Sequence, residues 1–369
     1  MTDLLSLSEN DAVIFVGTYT EPEGSKSEGL YLYRMDPDSG QLTFVAAAKG
    51  VINPSFLEVH PHQNFLYVVN EVEGWNGRVG GGVSAFSINP ISGELTRLNQ
   101  QFSHGTHPCY VSVEQTGRFA LVANYSSGSV AMFPIQSDGT LAEASDVIQH
   151  SGSSIHPTRQ TSPHAHCILP DPANRFAIVV DLGLDKLLIY QIDLEQGKLQ
   201  LHSETIVRAG AGPRHLTFHP NRRFAYLINE LDATVITYKY HGEAGRFEQL
   251  QVLPALPKDV ASENLCADIH VTPDGKYLYA SNRGHESIVS FQIDQGNGKL
   301  TYIDHTPTGG REPRNFAIDP KGGFLLAANQ KTDTIVTFKI DTTNGQLIET
   351  GDRVDVSMPV CVKFAVLKS

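Results

Sequence analysis

Short apolar runs separated by polar or glycine-containing turns recur in a fixed order along this chain. One type of segment alternates apolar and polar positions, turns, and reopens on an aromatic or other large residue followed by a continuous apolar run. It reads "PSFLEVHPHQNF" from Pro54, "PCYVSVEQTGRF" from Pro108 and "AHCILPDPANRF" from Ala165. It returns as "PRHLTFHPNRRF" from Pro213, "CADIHVTPDGKY" from Cys266 and "PRNFAIDPKGGF" from Pro313. A third run follows, such as "ATVITYKY" from Ala233, and then a small turn leads into a fourth. That turn occurs seven times: at Ser39, Ser92, Asp138, Gln196, Ala244, Asn297 and Asn344, as in "SGQL" or "NGKL". Glycine in a short polar turn between apolar runs marks a hairpin.

Alternation of period two predicts strands, and no segment has the period of an amphipathic helix. Each unit holds four strands in about 50 residues, a repeat length that signals a closed or stacked array. Six units are continuous. The seventh begins at "PVCVKFAVL" from Pro359, and its missing strands lie at the other terminus, in "AVIFVGTYT" from Ala12 and "GLYLYRMD" from Gly29. The prediction is an all-β fold: a seven-bladed β-propeller in one domain over 1–369, with the last strand closing the ring against the N-terminal blade. Closure of this kind removes an exposed sheet edge. Residues 1–11 read as a flexible lead. A pair of β-sandwiches fits the regular repeat less well.

The repeat also aligns chemistry. One position after the start of each unit stand Ser55, Cys109, His166, Arg214, Ala267, Arg314 and Val360. Sixteen positions after the start the series is Asn70, Asn124, Asp181, Asn229, Asn282 and Asn329, polar groups suited to bonding local backbone. The next position carries Glu71, Tyr125, Leu182, Glu230, Arg283 and Gln330. The first two strands of a blade are antiparallel, so the start of one and the end of the next share an edge. With the first strand innermost, both series crowd one mouth of the central channel. That mouth is predicted to hold His166, Arg214, Glu230, Arg283 and Arg314, with Glu71 and Tyr125 nearby.

Composition narrows the partners. With 28 Lys and Arg against 40 Asp and Glu, the formal net charge is −12. That argues against nucleic acid and anionic membrane surfaces as general partners, but leaves room for a small anionic substrate where cations are gathered locally. The four cysteines, Cys109, Cys167, Cys266 and Cys361, have no metal-like spacing and read as buried thiols of a reducing compartment. The N-terminus lacks the basic and apolar regions of a signal peptide, and no run approaches a membrane span, so a cytoplasmic location is expected. "SPHAH" places His164 and His166 two apart, a spacing that could suit a metal, but no third ligand is evident. His60, His219 and His270 read as core or turn histidines. "GRVGGG" from Gly77 to Gly82 reads as a flexible loop insertion at the rim.

At these residues the chain resembles the propeller-type lactonases: bacterial 6-phosphogluconolactonase of the seven-bladed kind and the fungal carboxy-muconate lactonising enzymes. "GAGPRHLTFHPNRRFAYLINEL", "CADIHVTPDGKYLYASNR" and the opening "FVGTYT…SEGLYLYRMD" carry the resemblance, which extends over essentially the whole chain. It implies a site of one His, two Arg and one Glu at the channel mouth, matched here by His166, Arg214, Glu230 and Arg283. His164 takes the place of His166 if a two-residue gap is set in "PDPANRF".

The resulting expectation is hydrolysis of a small anionic sugar lactone, with 6-phosphogluconolactone to 6-phosphogluconate as the leading case. His166 is the expected general base, and Glu230 orients it or the water. Arg214 and Arg283 stabilise the oxyanion and hold the substrate's anionic group. Arg314 is a further candidate for phosphate, and His164, Glu71 and Tyr125 for substrate contacts. A muconate-type cycloisomerase and a non-catalytic binding propeller are the alternatives, since the fold hosts many functions. No cofactor is expected, a divalent ion is left open, and a monomer or weak homodimer is preferred.

Overall fold

The computed structural model describes residues 12–367 apart from 22, 76, 259, 261 and 262. The expected flexible lead therefore falls outside the described residues. Seven four-stranded antiparallel sheets account for the repeat. Six are continuous, running inner to outer as in Pro213–Phe218, Phe224–Asn229, Thr234–His241 and Arg246–Pro254. In the seventh, Pro359–Val366 is the inner strand and pairs antiparallel with Ala12–Thr18, with Val13 opposite Ala365 and Val16 opposite Val362. Each innermost strand packs against that of the next blade, and the last against the first, which closes the ring. Among the described residues the only helical segment is a 3-10 turn at Gln330–Thr332, and no helix is long and apolar enough to cross a membrane.

The second strands are apolar on both faces because each is sandwiched between neighbouring blades. In Phe176–Asp181, Ala177 and Val179 pack with Leu121, Ala123 and Met132 on one side. Ile178 and Val180 pack with Leu216 and Leu227 on the other. Fourth strands such as Lys198–Ile206 form the rim and are mostly exposed. Each fully buried Val, Ile or Leu contributes roughly 1.5–3 kcal/mol, so this inter-blade layer is the main source of cohesion.

Two regularities of the sequence turn out to be one device. The aromatic that opens a second strand lies under the small turn of the following blade. A Cβ on Gly139 would come within 2.3 Å of the Phe65 ring, and one on Gly298 within 2.4 Å of Phe224. Both glycines also have positive φ, 84° and 74°, so a side chain is excluded twice over. Tyr67, Tyr226 and Tyr279 reinforce the lock by donating to the carbonyls of Gly139, Gly298 and Gly345. Four of the five aligned amides bond local backbone as expected: the Nδ2 groups of Asn70, Asn124, Asn282 and Asn329 donate to the carbonyls of Ile52, Ser103, Ala255 and Thr308 in the preceding connections, whereas Asn229 donates to Thr234 Oγ1. His60 and His219 pair with turn carbonyls, of Gly117 and Gly275. All four cysteines are buried and free.

One segment differs from expectation. The "GRVGGG" region contributes to a small hairpin, Gly74–Trp75 with Arg78–Val79, and then enters a blade strand at Gly82. Gly81 is held by its amide donating to the Gly105 carbonyl at 2.8 Å and its carbonyl accepting from the Ser103 amide at 2.9 Å, and it lies so close to Pro108 that a Cβ would be 2.3 Å from Cδ.

Candidate active site

The inner strands carry the site, and a β-bulge aims it. Pairing with the second strand skips one residue between Pro108 and Tyr110, Ala165 and Cys167, Pro213 and His215, and Pro313 and Asn315. The skipped residues are Cys109, His166, Arg214 and Arg314. A bulge frees its extra residue from the ladder and re-aims its side chain. The residue just before several of these strands is left-handed, including His107 at φ 51° and Glu312 at φ 55°. Such φ values are uncommon outside glycine and cluster at functional sites.

A cavity of about 160 Å³ at this mouth is lined by Glu71, Cys109, Tyr125, Arg159, His166, Glu230, Leu265, Arg283 and Arg314. Six of the eight residues expected at the site therefore share one wall. Two do not. Arg214 is only 2% exposed and sits behind Glu230, with Nε 3.0 Å from Oε2, an ion pair without hydrogen-bond alignment. Its Nη1 donates to the Ala267 carbonyl. His164 stacks on Tyr125 with ring centroids 4.6 Å apart, and its Nδ1 pairs with the Tyr125 carbonyl at 3.0 Å. It precedes the strand, and the bulge at His166 breaks the alternation that would have put both imidazoles on one face. Among the described residues no cluster of three or more His, Cys, Asp or Glu is placed to hold a metal ion.

Glu230 is the hub. Oε2 accepts from Arg283 Nη2 at 2.9 Å, and Oε1 accepts from Arg159 Nη2. Burial alone would raise its pKa, but Arg283, Arg214 and Arg159 outweigh that and hold it at about 2. It was expected to orient His166 or a water; both its oxygens are instead given over to guanidiniums. Glu230 favours the charged form of both Arg214 and Arg159, but their burial differs, and they shift in different directions. Arg214, fully buried, is pushed down to about 10 by desolvation and by Arg283 and Arg314, and stays cationic at neutral pH. Arg159 is one-third exposed; burial lowers its pKa less than Glu230 and Tyr125 raise it, so it shifts upward.

His166 is buried. Desolvation first, then the charges of Arg214, His215 and Arg314, hold its pKa well below the usual histidine range, so the ring is neutral at pH 7. Nδ1 lies 3.8 Å from Cys109 Sγ. Burial, followed by Glu71, pushes the Cys109 thiol well up, which marks it as a wall rather than a nucleophile. Across the mouth, Arg314 stacks over the Tyr19 ring at 5.6 Å, and Tyr19 Oη donates to Glu71 Oε2 at 2.9 Å.

Three features were not foreseen. Arg159 comes from the long connection between Asp146–Gln149 and Ala165–Pro170, outside the repeat register. Tyr19 follows the split blade's second strand, Ala12–Thr18, at the opposite end of the chain from that blade's inner strand. The third is a deeper layer, two residues after each unit's start, turned inward by the same bulges. There Asp268 accepts from His215 Nδ1 at 2.8 Å and His270 Nε2 at 2.9 Å, and from Asn315 Nδ2. His215 lies under His166, ring centroids 5.1 Å apart. This layer faces a second cavity of about 300 Å³, lined also by Phe56, Tyr110 and Lys363, which shares no residue with the first.

A family profile described as lactonase, 7-bladed beta-propeller, matches residues 13–364. The chain belongs to this lactonase family. It is 39% identical over 350 residues to a protein of Bacillus subtilis (strain 168) named 6-phosphogluconolactonase, covering 95% of this chain and 97% of that one. A 6-phosphogluconolactonase of Formosa agariphila is 35% identical, with 83% and 86% covered. Among solved structures, a periplasmic gluconolactonase of Pseudomonas aeruginosa superposes with a TM-score of 0.91 at 36% identity, covering 97% of this chain and 99% of that one.

Proposed function

We propose that this lactonase-family chain hydrolyses a sugar lactone, with 6-phosphogluconolactone as substrate and 6-phosphogluconate as product. The observation that carries the reading is the gathering of a neutral buried imidazole and several guanidiniums around one small cavity, in a family whose relatives bear that name.

The lactone carbonyl enters the channel mouth. Water attacks C1, and His166 takes its proton on Nε2, the ring keeping its own proton on Nδ1 beside Cys109. The carbonyl electron pair moves to oxygen, and Arg283 and Arg314, on the cavity wall, stabilise the charge that develops there. The intermediate collapses by breaking the bond from C1 to the ring oxygen, which leaves as a hydroxyl with the proton from His166. The new carboxylic acid loses one proton to solvent. Glu230 and Arg214 are positioning residues: the carboxylate holds Arg283 and Arg159 in place, and Arg214 backs it from below. Tyr125 and Glu71 shape the wall.

These steps need no cofactor, so dialysis against EDTA should leave turnover unchanged. A phosphorylated sugar is retained inside the cell by its charge, and we place the reaction in the cytoplasm, to be checked by fractionation. A closed ring completes its own core, and we take the chain as a monomer, to be checked by its sedimentation. The test of function is acid release from 6-phosphogluconolactone generated in situ. Saturable release above the uncatalysed rate supports the reading; release at the uncatalysed rate overturns it.

A further inference from the structure

The channel-mouth cavity, at about 160 Å³, is smaller than the roughly 300–1,000 Å³ of ordinary ligand pockets. It opens beside a groove of about 700 Å³, and the two share Arg159, Leu265 and Arg283. A phosphorylated sugar lactone reacting in the smaller space therefore extends past these residues. The rest of the groove is acidic, with Asp232, Glu263, Glu286 and Glu312 against His156. Two of those carboxylates are already paired, Asp232 with Arg208 and Glu312 with Lys331. Glu286 accepts from the Glu312 amide. An anionic tail thus has one favourable stop, at the seam.

Of the two guanidiniums at the seam, Arg159 is the more exposed and has the more donors to spare. Arg283, with its side chain 9% exposed, spends Nε on the Leu265 carbonyl and Nη2 on Glu230 and the Cys266 carbonyl. Arg214 is buried behind the carboxylate, and Arg314, over the Tyr19 ring, lines the smaller cavity but not the groove. Arg159 is 32% exposed and uses only Nη2, toward Glu230 and the Tyr125 hydroxyl at 3.2 Å. Its Nη1 and Nε make no hydrogen bond among the described residues. Its backbone is fixed nearby: the Arg159 amide donates to His156 Nδ1 at 3.2 Å, and the buried Gln160 donates to the Leu182 carbonyl at 2.8 Å.

We infer that Arg159 is the specificity-determining residue for the phosphate of the substrate: it keeps Glu230 with one nitrogen and offers the others to the anion. This inference rests on the lactonase reading for the identity of the ligand, and its test does not depend on turnover. Calorimetric binding of 6-phosphogluconate and of gluconate is compared for the wild type, Arg159→Gln and Arg159→Lys. Charge-assisted hydrogen bonds of about 1.5–3 kcal/mol correspond to a ten- to hundredfold preference for the phosphorylated acid. Arg159→Gln should lose that preference, and Arg159→Lys, which keeps the charge without the planar fork, should retain part of it. A wild type without preference, or an Arg159→Gln protein that keeps it, overturns the assignment. A wild type that hydrolyses no lactone yet binds the phosphorylated acid through Arg159 would sink the proposed reaction and leave the phosphate site standing.

Discussion

Replacing Glu230 by glutamine removes the one negative charge that three guanidiniums converge on. Its pKa of about 2 against an ordinary 4.5 measures how strongly the fold favours the carboxylate. At about 1.36 kcal/mol per unit that difference is worth roughly 3 kcal/mol. The independent range for removing one member of a buried ion pair is about 3–5 kcal/mol. With an unfolding entropy of about 2.1 cal/mol/K per residue, a chain of 369 residues loses roughly 4 °C of Tm for that change. The sign of the pH dependence follows from a depressed pKa. The stabilisation is fully present above about pH 4.5 and is lost as pH falls toward about 2. Equilibrium urea unfolding of Glu230→Gln and wild type should therefore differ by roughly 3 kcal/mol at pH 7, and by roughly 2 kcal/mol at pH 3.5. A difference below about 1 kcal/mol at pH 7, or one that does not shrink in acid, would refute the hub role of this carboxylate.

Other expectations concern turnover. Arg283→Ala should lower kcat by about 10²–10³, the usual cost of one oxyanion donor; unchanged kcat in a folded variant removes it from the mechanism. Because His166 is held well below the usual histidine range, kcat/KM should show no inflection near pH 6.5, and its acid limb should fall at lower pH. A titration centred near pH 6.5 would mean a solvated imidazole or a different base. Cys109→Ser should keep kcat within about threefold, because a thiol pushed up by burial is not the nucleophile; loss of activity with a trapped thioester in the wild type would reverse that.

The ring and most of the site were legible because each blade repeats the same steric problem. An aromatic must meet a turn glycine, and an inner strand must start where its neighbour ends, so Glu71, Tyr125, His166, Glu230, Arg283 and Arg314 align in sequence and in space. What stayed hidden did not follow that register. Arg159 lies on a connection unique to one blade. The bulge at the first inner position puts consecutive residues such as Arg214 and His215 both inward, which simple alternation forbids, and so the layer around Asp268 was missed. His164 reads like His166 until the backbone ahead of the bulge turns it onto Tyr125. The burial of Arg214 behind Glu230 is a matter of depth along the channel, which a one-dimensional pattern does not encode.

The central claim is that lactone chemistry takes place at this mouth and nowhere else on the ring. A crystal structure with 6-phosphogluconate bound tests it most directly. The account predicts the carboxylate between His166, Arg283 and Arg314, inside the cavity that Glu230 borders. Product seated at the Asp268 end of the channel, or on the outer rim of the blades, would contradict it.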